Sequence, residues 1–383
     1  MSKTKAPATD NEFGVDLLFV TGTRADYGKL EPLALAAVEA GHHVTFFVTG
    51  MHMLERYGLT KEEVHSSKDF DVVEFINHRD GDPQDIILAK TIMGFSDFMK
   101  EHNPDLVIIH GDRVEALACA LVCATNYIRC AHVEGGEVSG TIDEQFRHCN
   151  TKLSSVHLVS SNEAKARVER LGERPDIVHV IGSPELDIHG RPSGVTMDEV
   201  RKRYDITAAE YGICVFHPVT SEAAVMGKQA EALFGALVTS GHSYVVILPN
   251  NDPGAEDIIA VIRSLPADRF RVLPSMRFAY FSELMRNAQA IIGNSSMGVR
   301  EAPFLGVPSL DVGTRQFNRG TAMSLMRCSA LDRQSIDRFL SDFWGRRFDS
   351  NQSFGRGDAA RAFVDLLDQQ AFWDSPLQKY FVG

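Results

Sequence analysis

Residues 15–50, VDLLFVTGTRADYGKLEPLALAAVEAGHHVTFFVTG, place two apolar runs on either side of a segment with helical periodicity. VDLLFVTGT (15–23) and HVTFFVTG (43–50) have the length and the β-branched and aromatic content of strands, and KLEPLALAAVEA (29–40) has apolar residues at helical spacing. Strands that are apolar throughout are typical of parallel sheets covered by helices on both faces. The stretch therefore predicts a strand–helix–strand unit of an α/β fold.

The same alternation of strand and helix continues along nearly the whole chain, in two sets. Strands of the first set are predicted at 105–111, 128–133, 155–161 and 177–182, and those of the second at 211–220, 244–250, 270–275, 290–296 and 307–313. Two such sets predict two Rossmann-like, doubly wound parallel-sheet domains with a cleft between them. Ligands of such sheets bind beyond the carboxyl ends of the strands, so functional residues are expected in the turns that follow them.

A charged segment containing proline and glycine interrupts this rhythm, and we place the domain boundary there. The predicted parts are a flexible tail (1–13), an N-terminal domain (14–187), a linker (188–210), a C-terminal domain (211–370) and a terminal helix packing back on the body (371–383).

Composition excludes several classes of function. The net charge of −12 opposes binding to nucleic acid. The six cysteines form no C-x-x-C pair, which suits free thiols in a reducing cytoplasm. The N-terminus has no apolar signal region, and no apolar run approaches the roughly 20 residues of a membrane span. We therefore expect a cytoplasmic protein.

The first turn, TGTRADYGKL (21–30), lacks the G-x-G-x-x-G pattern of dinucleotide-binding proteins, so the sequence gives no indication of NAD. A turn from strand to helix still offers free N–H groups to an anion, and Arg24 and Lys29 would add positive charge there. The alternative is that both are ordinary surface residues near a helix start.

Two pairs of carboxylate and arginine stand in later turns. Asp112 and Arg113 follow a strand, where Asp112 is either a helix cap or a catalytic group. Asp143 lies in the first turn of a predicted helix, where the helix dipole favours its ionised form, and Arg147 lies on the same face. The structural alternative for the second pair is a surface ion pair.

The stretch AHVEGGEVSGTIDEQFRH (131–148) crowds acidic residues against a glycine-rich turn. Thr141 and Glu144 match a capping box that starts a helix. Glu134 ends an apolar strand beside glycines that allow close approach of a ligand, so it is the stronger catalytic candidate.

The turns of the second half indicate a phosphate site. GNSSMGVREA (293–302) leads a strand into a helix through small residues, so Ser295 and Ser296 could grip a diphosphate while Glu301 accepts bonds from sugar hydroxyls. Arg315 follows the next strand as a further phosphate partner. His217 ends a strand before a proline, and a lone histidine there is more often structural than catalytic.

Eight motifs carry a family resemblance: TGTRADYGKL, VTGMHMLERYG, NPDLVIIHGDRVEALA, AHVEGGEVSGTIDEQFRH, FHPVT, PNNDPG, GNSSMGVREAP and VGTRQFNR. In this order they resemble the hydrolysing UDP-N-acetylglucosamine 2-epimerases of sialic acid biosynthesis, over residues 15–319. The resemblance implies the two-Rossmann-domain glycosyltransferase-B arrangement. It also implies conversion of UDP-N-acetylglucosamine and water to N-acetylmannosamine and UDP, without metal or redox cofactor, by a homodimer or homotetramer.

By the same resemblance, four residues take catalytic positions and ten bind substrate. The catalytic positions are Asp112, Glu134, Asp143 and His217; the substrate-binding positions are Arg24, Lys29, His52, Arg113, Arg147, Asn251, Ser295, Ser296, Glu301 and Arg315.

Two choices of function stay open within the family. Non-hydrolysing relatives carry G-T-R-P-E, G-D-T-T and T-G-Q-H-R turns, where this chain has GTRADYG, GDRVEA and TGMHML, which favours hydrolysis. Hydrolysing enzymes that act on UDP-N,N′-diacetylbacillosamine in legionaminic acid synthesis look so similar that no motif quoted above separates the two activities. Outside the family, the alternatives are a glycosyltransferase of the same fold and a nucleotide-sugar-binding protein without turnover.

Overall fold

The computed structural model divides the chain into two compact units. It describes residues 14–380, with the exception of residues 56–57, 78, 80, 139–142, 193 and 251. The side chain of Asp143 also lies outside the described part. Unit 1 comprises Met1–Glu137, Ile142–Asp187 and Gly355–Gly383, and unit 2 comprises Val138–Thr141 and Ile188–Phe354.

Unit 1 contains a parallel sheet of seven strands in the order β3-β2-β1-β4-β5-β6-β7. The strands are β1 (Asp16–Thr21), β2 (His43–Val48), β3 (Asp71–Glu74), β4 (Leu106–His110), β5 (Cys130–Val133), β6 (Val156–Val159) and β7 (Val178–Val180). Strands β1, β4 and β5 are buried on both faces, as their continuous apolar sequences predict.

Helices cover both faces of this sheet. They are α1 (Arg24–Glu39), α2 (Lys61–His65), α3 (Gln84–Glu101), α4 (Val114–Thr125), α5 (Asp143–Leu153), α6 (Asn162–Arg170) and α7 (Glu185–Gly190), the last of which ends in unit 2. Alternation along β1 sends Phe19 into the core cluster under α1 and its neighbours Leu18 and Val20 into the cluster under α3 and α4. No helix in the described part of the chain has the length and apolar character needed to cross a membrane.

Unit 2 contains a parallel sheet of six strands in the order β10-β9-β8-β11-β12-β13. Its strands are β8 (Gly212–Val215), β9 (Tyr244–Ile247), β10 (Phe270–Leu273), β11 (Ala290–Gly293), β12 (Ser309–Val312) and β13 (Leu325–Cys328). Its helices are α8 (Met197–Tyr204), α9 (Met226–Ser240), α10 (Ala255–Arg263), α11 (Phe278–Asn287), α12 (Glu301–Phe304) and α13 (Arg333–Asp342).

The chain returns to unit 1 before its C-terminus, unlike the predicted second domain of 211–370. Helices α14 (Ala359–Leu367) and α15 (Gln370–Trp373) lie in unit 1, where Phe363 packs edge-on against Phe19 at 6.2 Å between ring centroids. The terminal helix predicted over 371–383 is shorter than expected, because Pro376 cannot continue it.

The predicted linker at 188–210 is part of unit 2. Helix α8 has a full capping box, in which Thr196 and Glu199 satisfy each other's backbone N–H groups. Val200 and Ile206 are buried with Tyr211 in one hydrophobic cluster of unit 2. Two apolar anchors in a charged segment are too few to be recognised from sequence, yet they attach α8 to the core of unit 2.

Each sheet has one point at which the direction of winding reverses. In unit 1 this point lies between β1 and β4, and in unit 2 between β8 and β11. At such a point the two connections leave toward opposite faces of the sheet and open a crevice at the carboxyl ends of the strands. The turns after these four strands therefore hold the groups best placed to meet a ligand.

Away from these turns, unit 1 contains a buried ionic cluster around Glu173, which is 2% exposed. Its carboxylate accepts from Lys152 Nζ at 2.6 Å, Lys379 Nζ at 2.5 Å and His157 Nε2 at 3.1 Å. Lys379 also donates to the carbonyl oxygens of Thr151, Lys152 and Ser154, at the C-terminal end of α5. Burial by itself raises the pKa of Glu173, but these three donors lower it to about 2.

We predict that Lys379→Met lowers the free energy of unfolding by about 1–3 kcal/mol at pH 7, because it removes one donor from a buried carboxylate. The folded-state pKa of Glu173 is depressed, so this stabilisation is present above pH 4.5 and disappears as the pH falls toward 2. Urea denaturation at pH 7 and pH 3 would measure both effects.

Lys100→Met is the matched control, because Lys100 pairs with Asp97 on the exposed surface of α3. Its denaturation midpoint should equal that of the parent protein at both pH values. A Lys379→Met protein as stable as this control at pH 7 would contradict the assignment.

Candidate functional site

Glu134 follows β5 and is buried, with 4% of its surface exposed. Its φ of 61° is a left-handed conformation that costs a residue other than glycine about 1–3 kcal/mol. The turn that follows requires glycine at Gly136, where a Cβ atom would lie 2.3 Å from the carbonyl oxygen of Ala164. A strained backbone therefore holds a carboxylate out of water at the carboxyl edge of the sheet.

Donors from three separate segments satisfy this carboxylate. Lys29 Nζ of α1 donates to Oε2 at 2.8 Å, His110 Nε2 lies 3.2 Å from the same oxygen, and Ser183 Oγ donates to Oε1 at 2.7 Å. Lys29 also pairs with the buried Glu185 at 2.8 Å. Buried charges are stable only when they are paired and hydrogen-bonded in this way. The structure thus places Lys29, predicted to bind an anionic substrate, between two carboxylates.

His110 connects Glu134 to Asp26. His110 Nδ1 lies 3.0 Å from Asp26 Oδ1, and both residues are at least 90% buried. Burial opposes a charge on the imidazole, but its bonds to Asp26 and Glu134 outweigh that effect and raise the pKa of His110. Burial likewise raises the pKa of Asp26, and the bond to His110 reverses the shift and lowers it. Asp26 and His110 therefore favour their charged forms together, and Glu134 contacts the same ring.

Asp112 follows Gly111, whose φ of 65° allows the sharp turn after β4. Its carboxylate forms an ion pair with Nη2 of Arg147, a buried residue of α5. Asn150 Nδ2 and His132 Nε2 donate to the Gly111 carbonyl at 3.0 and 2.7 Å. Helix α5 and strand β5 thus fix the turn that carries Asp112, and Arg147 contacts this carboxylate.

Arg24 and Arg113, both predicted to bind substrate, lie at the starts of helices after β1 and β4. Arg24 Nη2 pairs with Glu63 Oε1 at 2.9 Å, with its side chain 33% exposed. Arg113 Nε lies 3.7 Å from the buried Glu115 carboxylate, with its side chain 37% exposed. Both guanidinium groups are therefore accessible to solvent beside the crevice of unit 1.

His52, predicted to line the sugar pocket, is fully buried. Its Nε2 lies 2.9 Å from Thr21 Oγ1 and its Nδ1 lies 2.7 Å from Thr60 Oγ1. Burial lowers the pKa of His52, so the ring is neutral. Both ring nitrogens have threonine partners, and packing alone accounts for this residue in the structure.

In unit 2, Asn294 joins the turns after β8 and β11. Its Oδ1 accepts from His217 N at 2.7 Å, and its Nδ2 donates to His217 O at 2.8 Å. Gly293 before it has a φ of 131°, and a Cβ atom there would lie 1.9 Å from the carbonyl oxygen of Val215. Arg315 Nη1 donates to the Asn294 carbonyl at 3.2 Å. These bonds bring His217 and Arg315 to the crevice of this sheet.

His217 is a neutral hydrogen-bond donor at this position. Asn250 N donates to His217 Nδ1 at 3.1 Å, so the ring proton must lie on Nε2. Burial and the nearby Arg315 guanidinium lower the pKa of His217 to about 3. With its one lone pair engaged by a backbone N–H, the ring is suited to donate to an anionic oxygen.

Ser295 and Ser296 are half-buried in the turn after β11, and a 3₁₀ helix begins at Ser296. Glu301 is the first residue of α12 and accepts from His189 Nε2 at 2.9 Å. His189 Nδ1 lies 2.8 Å from the buried Ser282 hydroxyl. The predicted sugar-binding carboxylate is therefore oriented by a buried histidine.

Three predictions concern parts that the structure does not describe. Thr141, expected to cap a helix, and Asn251, expected to bind substrate, lie outside the described residues. Asp143 is the first residue of α5, so its backbone stands where the sequence predicts, but its side chain lies outside them too.

Sequence reasoning missed the residues that hold the predicted ones in place. Asp26 and His110 stand inside motifs that were recognised, yet nothing local shows that they meet across 84 positions of sequence. Ser183 and His189 lie after β7 in the region where the strand pattern fades. Asn294 carried a signal, because asparagine after a strand-ending glycine is typical of a turn held by side-chain bonds.

Two doubly wound parallel sheets with polar turns at their carboxyl edges define a glycosyltransferase-B-like α/β protein. Comparison with known proteins agrees: the sequence model of the family described as UDP-N-acetylglucosamine 2-epimerase matches residues 36–368. The chain belongs to this family.

Individual relatives cover nearly the whole chain. The UDP-N-acetylglucosamine 2-epimerase of Neisseria meningitidis serogroup B is 40% identical, over 96% of this chain and 98% of its own length. The UDP-N,N′-diacetylbacillosamine 2-epimerase (hydrolyzing) of Legionella pneumophila is 32% identical, over 78% and 81%. A crystal structure of a Neisseria meningitidis UDP-GlcNAc 2-epimerase bound to UDP-GlcNAc has a TM-score of 0.79, 17% identity and coverage of 92% and 99%. At that identity the structural likeness shows the fold.

We predict that Gly293→Ala destabilises unit 2 by at least about 2 kcal/mol, because its methyl group would overlap the Val215 carbonyl and its φ is unfavourable for alanine. Gly235→Ala is the matched control, since Gly235 lies within α9 with open space around its Cβ position. This control should gain up to about 1 kcal/mol from helix propensity. Thermal denaturation of both variants checks the prediction, and equal stability would contradict it.

Proposed function

We propose that this protein is a hydrolysing UDP-N-acetylglucosamine 2-epimerase, which releases N-acetylmannosamine and UDP for sialic acid biosynthesis. The observation that carries the proposal is the buried cluster of ionisable groups around Glu134 at the carboxyl edge of the unit 1 sheet. Similarity supports the substrate and the pathway: the 40% identical Neisseria protein is named for UDP-N-acetylglucosamine, and a 31% identical Escherichia coli protein is named polysialic acid biosynthesis protein P7.

Hydrolysis, rather than return of UDP to the sugar, is supported by sequence. Relatives from Legionella pneumophila and Campylobacter jejuni, 32% and 29% identical, carry the word hydrolyzing in their names. A Bacillus subtilis relative named simply UDP-N-acetylglucosamine 2-epimerase is 21% identical. The turns GTRADYG, GDRVEA and TGMHML of this chain also differ from those of the non-hydrolysing type.

The chemistry explains why several carboxylates are needed. Carbon 2 of an N-acetylhexosamine is not adjacent to a carbonyl carbon, so its hydrogen is weakly acidic. Departure of UDP gives C1 oxocarbenium character and makes that hydrogen removable by a carboxylate. The resulting 2-acetamidoglucal takes up water, with hydroxide adding at C1 and a proton at C2 from the opposite face. The bond between C1 and the UDP oxygen breaks, a bond between C1 and the water oxygen forms, and the C2 hydrogen is replaced by a solvent proton.

In this proposal the carboxylates of unit 1 act on the sugar. Glu134 is held ionised by three donors, which suits removal of a proton or stabilisation of the cation at C1. Asp112 is more accessible, with 23% of its side chain exposed, and its pairing with Arg147 fixes its orientation. Asp143 begins α5, where the helix dipole favours its ionised form. Asp112 and Asp143 divide the two remaining tasks, which are the return of a proton to C2 and the activation of water.

The turns of unit 2 hold the nucleotide in this proposal. Ser295 and Ser296 contact phosphate oxygens, and Glu301, oriented by His189, accepts from ribose hydroxyls. Arg315 and the Nε2–H of His217 receive the negative charge that develops as UDP leaves, which is usually the largest electrostatic contribution in such a site. His217 thus acts as a donor and not as a base.

The second candidate substrate is UDP-N,N′-diacetylbacillosamine, because two hydrolyzing relatives are named for it. A protein that binds nucleotide sugars without turnover is the alternative from a different class. The buried charges around Glu134 disfavour it, since binding alone does not require five ionisable groups beneath a turn.

We predict that incubation with UDP-N-acetylglucosamine in D₂O yields UDP and free N-acetylmannosamine carrying deuterium at C2, which proton NMR would detect. Parallel incubation with UDP-N,N′-diacetylbacillosamine distinguishes the two substrates. Asp112→Asn and Glu134→Gln should each lower kcat by at least about 100-fold while binding of UDP is retained, because neither residue is assigned to the nucleotide.

Other products would decide between the alternatives. A manno sugar still attached to UDP would identify a non-hydrolysing epimerase, and hydrogen retained at C2 would exclude elimination. Turnover of only the diacetylated substrate would assign the second activity. Bound but unchanged UDP-sugar would identify a binding protein.

We predict that His217 stays neutral down to about pH 4, with its proton on Nε2, because burial and Arg315 lower its pKa to about 3. A histidine whose folded-state pKa is depressed stabilises the fold above pH 6.5, and this contribution disappears as the pH falls toward 3. Nitrogen NMR, with His217→Gln for assignment, measures the tautomer directly. An imidazolium signal at pH 6 would contradict the donor role.

A further inference from the structure

His110 has a carboxylate at each end of its ring. It ends β4, is 8% exposed, and places Nδ1 3.0 Å from Asp26 Oδ1 and Nε2 3.2 Å from Glu134 Oε2. An ionised carboxylate can only accept hydrogen bonds, so both ring nitrogens must carry protons when both carboxylates are ionised. The geometry is therefore that of an imidazolium between two carboxylates.

The charges that face His110 support this state. Asp26 and Glu134 contact it directly, and Lys29, the neighbouring cation, is itself shared between Glu134 and Glu185. His132 on the adjacent strand is neutral, because burial lowers its pKa to about 3. Burial opposes the charge on His110 as well, but the two carboxylates raise its pKa above the ordinary value.

Asp26 has the position of an orienting group. It lies in the first turn of α1, where Thr23 caps the helix by accepting a hydrogen bond from Asp26 N at 3.2 Å. Gly22 N donates to Asp26 Oδ2 at 3.3 Å and His110 engages Oδ1, so each oxygen has a partner. This arrangement fixes the plane of the imidazole, as a carboxylate does for histidine in other catalytic sites.

We propose that His110, oriented by Asp26, is a positioning residue that keeps the Glu134 carboxylate ionised and fixed in direction during the elimination of UDP. The proposal rests on the function proposed above. Asp26 and His110 lie outside the predicted site, and in this proposal they act on the charge of Glu134, a predicted catalytic residue.

Removing the imidazolium has two consequences. Glu134 would lose a donor to Oε2, and Lys29, which donates to the same oxygen, is already shared with Glu185, so protonation of Glu134 would become easier. Asp26 would lose its cation and become a buried charge without that partner, which lowers stability. A combined Asp26→Asn/His110→Gln variant removes both charges and avoids the second consequence.

The test is the pH dependence of kcat and KM for the full-length protein. In His110→Gln we expect the acidic limb of kcat to move up by about one pH unit, so that kcat at a fixed pH on that limb falls by up to about tenfold, with KM changed less than about threefold. Asp26→Asn should move the limb in the same direction by less. The double variant should resemble His110→Gln, because both act through one group.

His157→Gln is the matched control. His157 is a buried histidine of strand β6, two strands from β4 in the sheet, and its Nε2 contacts Glu173. It should lower stability without moving the acidic limb. An unchanged limb in His110→Gln, or a loss of activity that appears entirely in KM, would overturn the proposal.

A measurement without substrate separates this proposal from the proposed function. Nitrogen NMR of the ligand-free protein at pH 7.5 should show both ring nitrogens of His110 protonated. The substitution Asp26→Asn should lower the pKa of His110. A neutral His110 ring would overturn the proposal even in an active enzyme. A charged ring in a protein that turns over no UDP-sugar would refute the proposed function alone.

Discussion

The burial of one carboxylate, that of Glu134, ties together four segments of unit 1. An ionised glutamate removed from water costs several kcal/mol unless donors surround it. Glu134 obtains them from α1, from the end of β4 and from the segment after β7, while its own strand is β5. The strand order β3-β2-β1-β4-β5-β6-β7 brings these segments to one edge of the sheet. The strained φ of Glu134 is stable because four elements determine its position.

Because of this constraint, the candidate catalytic groups of unit 1 are held in fixed positions. The donors to Glu134 sit on helices and strand ends, and the turn that bears Asp112 is fixed by side chains of α5 and β5. A group held in this way needs no rearrangement when charge develops on the substrate. Unit 2 uses a different device: Asn294 bonds both backbone groups of His217, and burial keeps that ring neutral. Unit 1 thus presents carboxylates held by hydrogen bonds and ion pairs, whereas the histidine of unit 2 is a neutral ring.

The sequence was sufficient for the fold class, because continuous apolar strands between helices have few other solutions. It was insufficient for the edge strands β3 and β13, whose residues are partly exposed and carry a weak strand pattern. It also missed that residues 355–380 return to unit 1, since the burial of Phe363 against Phe19 joins residues 344 positions apart. Contacts of that range leave no trace in local periodicity.

The residues of the candidate site also differ in how much the sequence alone reveals about them. Glu134 could be chosen as a candidate from its own surroundings in sequence, because a glutamate ending an apolar strand beside glycines has no local structural explanation. His52 could not be judged, because only the fold shows that two threonines satisfy its ring nitrogens. The contact between Asp26 and His110 could not be predicted from sequence, because it depends on β1 and β4 being neighbours in the sheet.

The claim that Glu134 is a working carboxylate is tested most directly by isotope exchange at C2. UDP-N-acetylglucosamine labelled with deuterium at C2 would be given to the parent protein and to Glu134→Gln in ordinary water, and loss of the label followed by mass spectrometry. The account predicts that the parent protein releases N-acetylmannosamine without deuterium and that Glu134→Gln loses the label at least about 100-fold more slowly. Loss of the label at the parent rate in Glu134→Gln would contradict it.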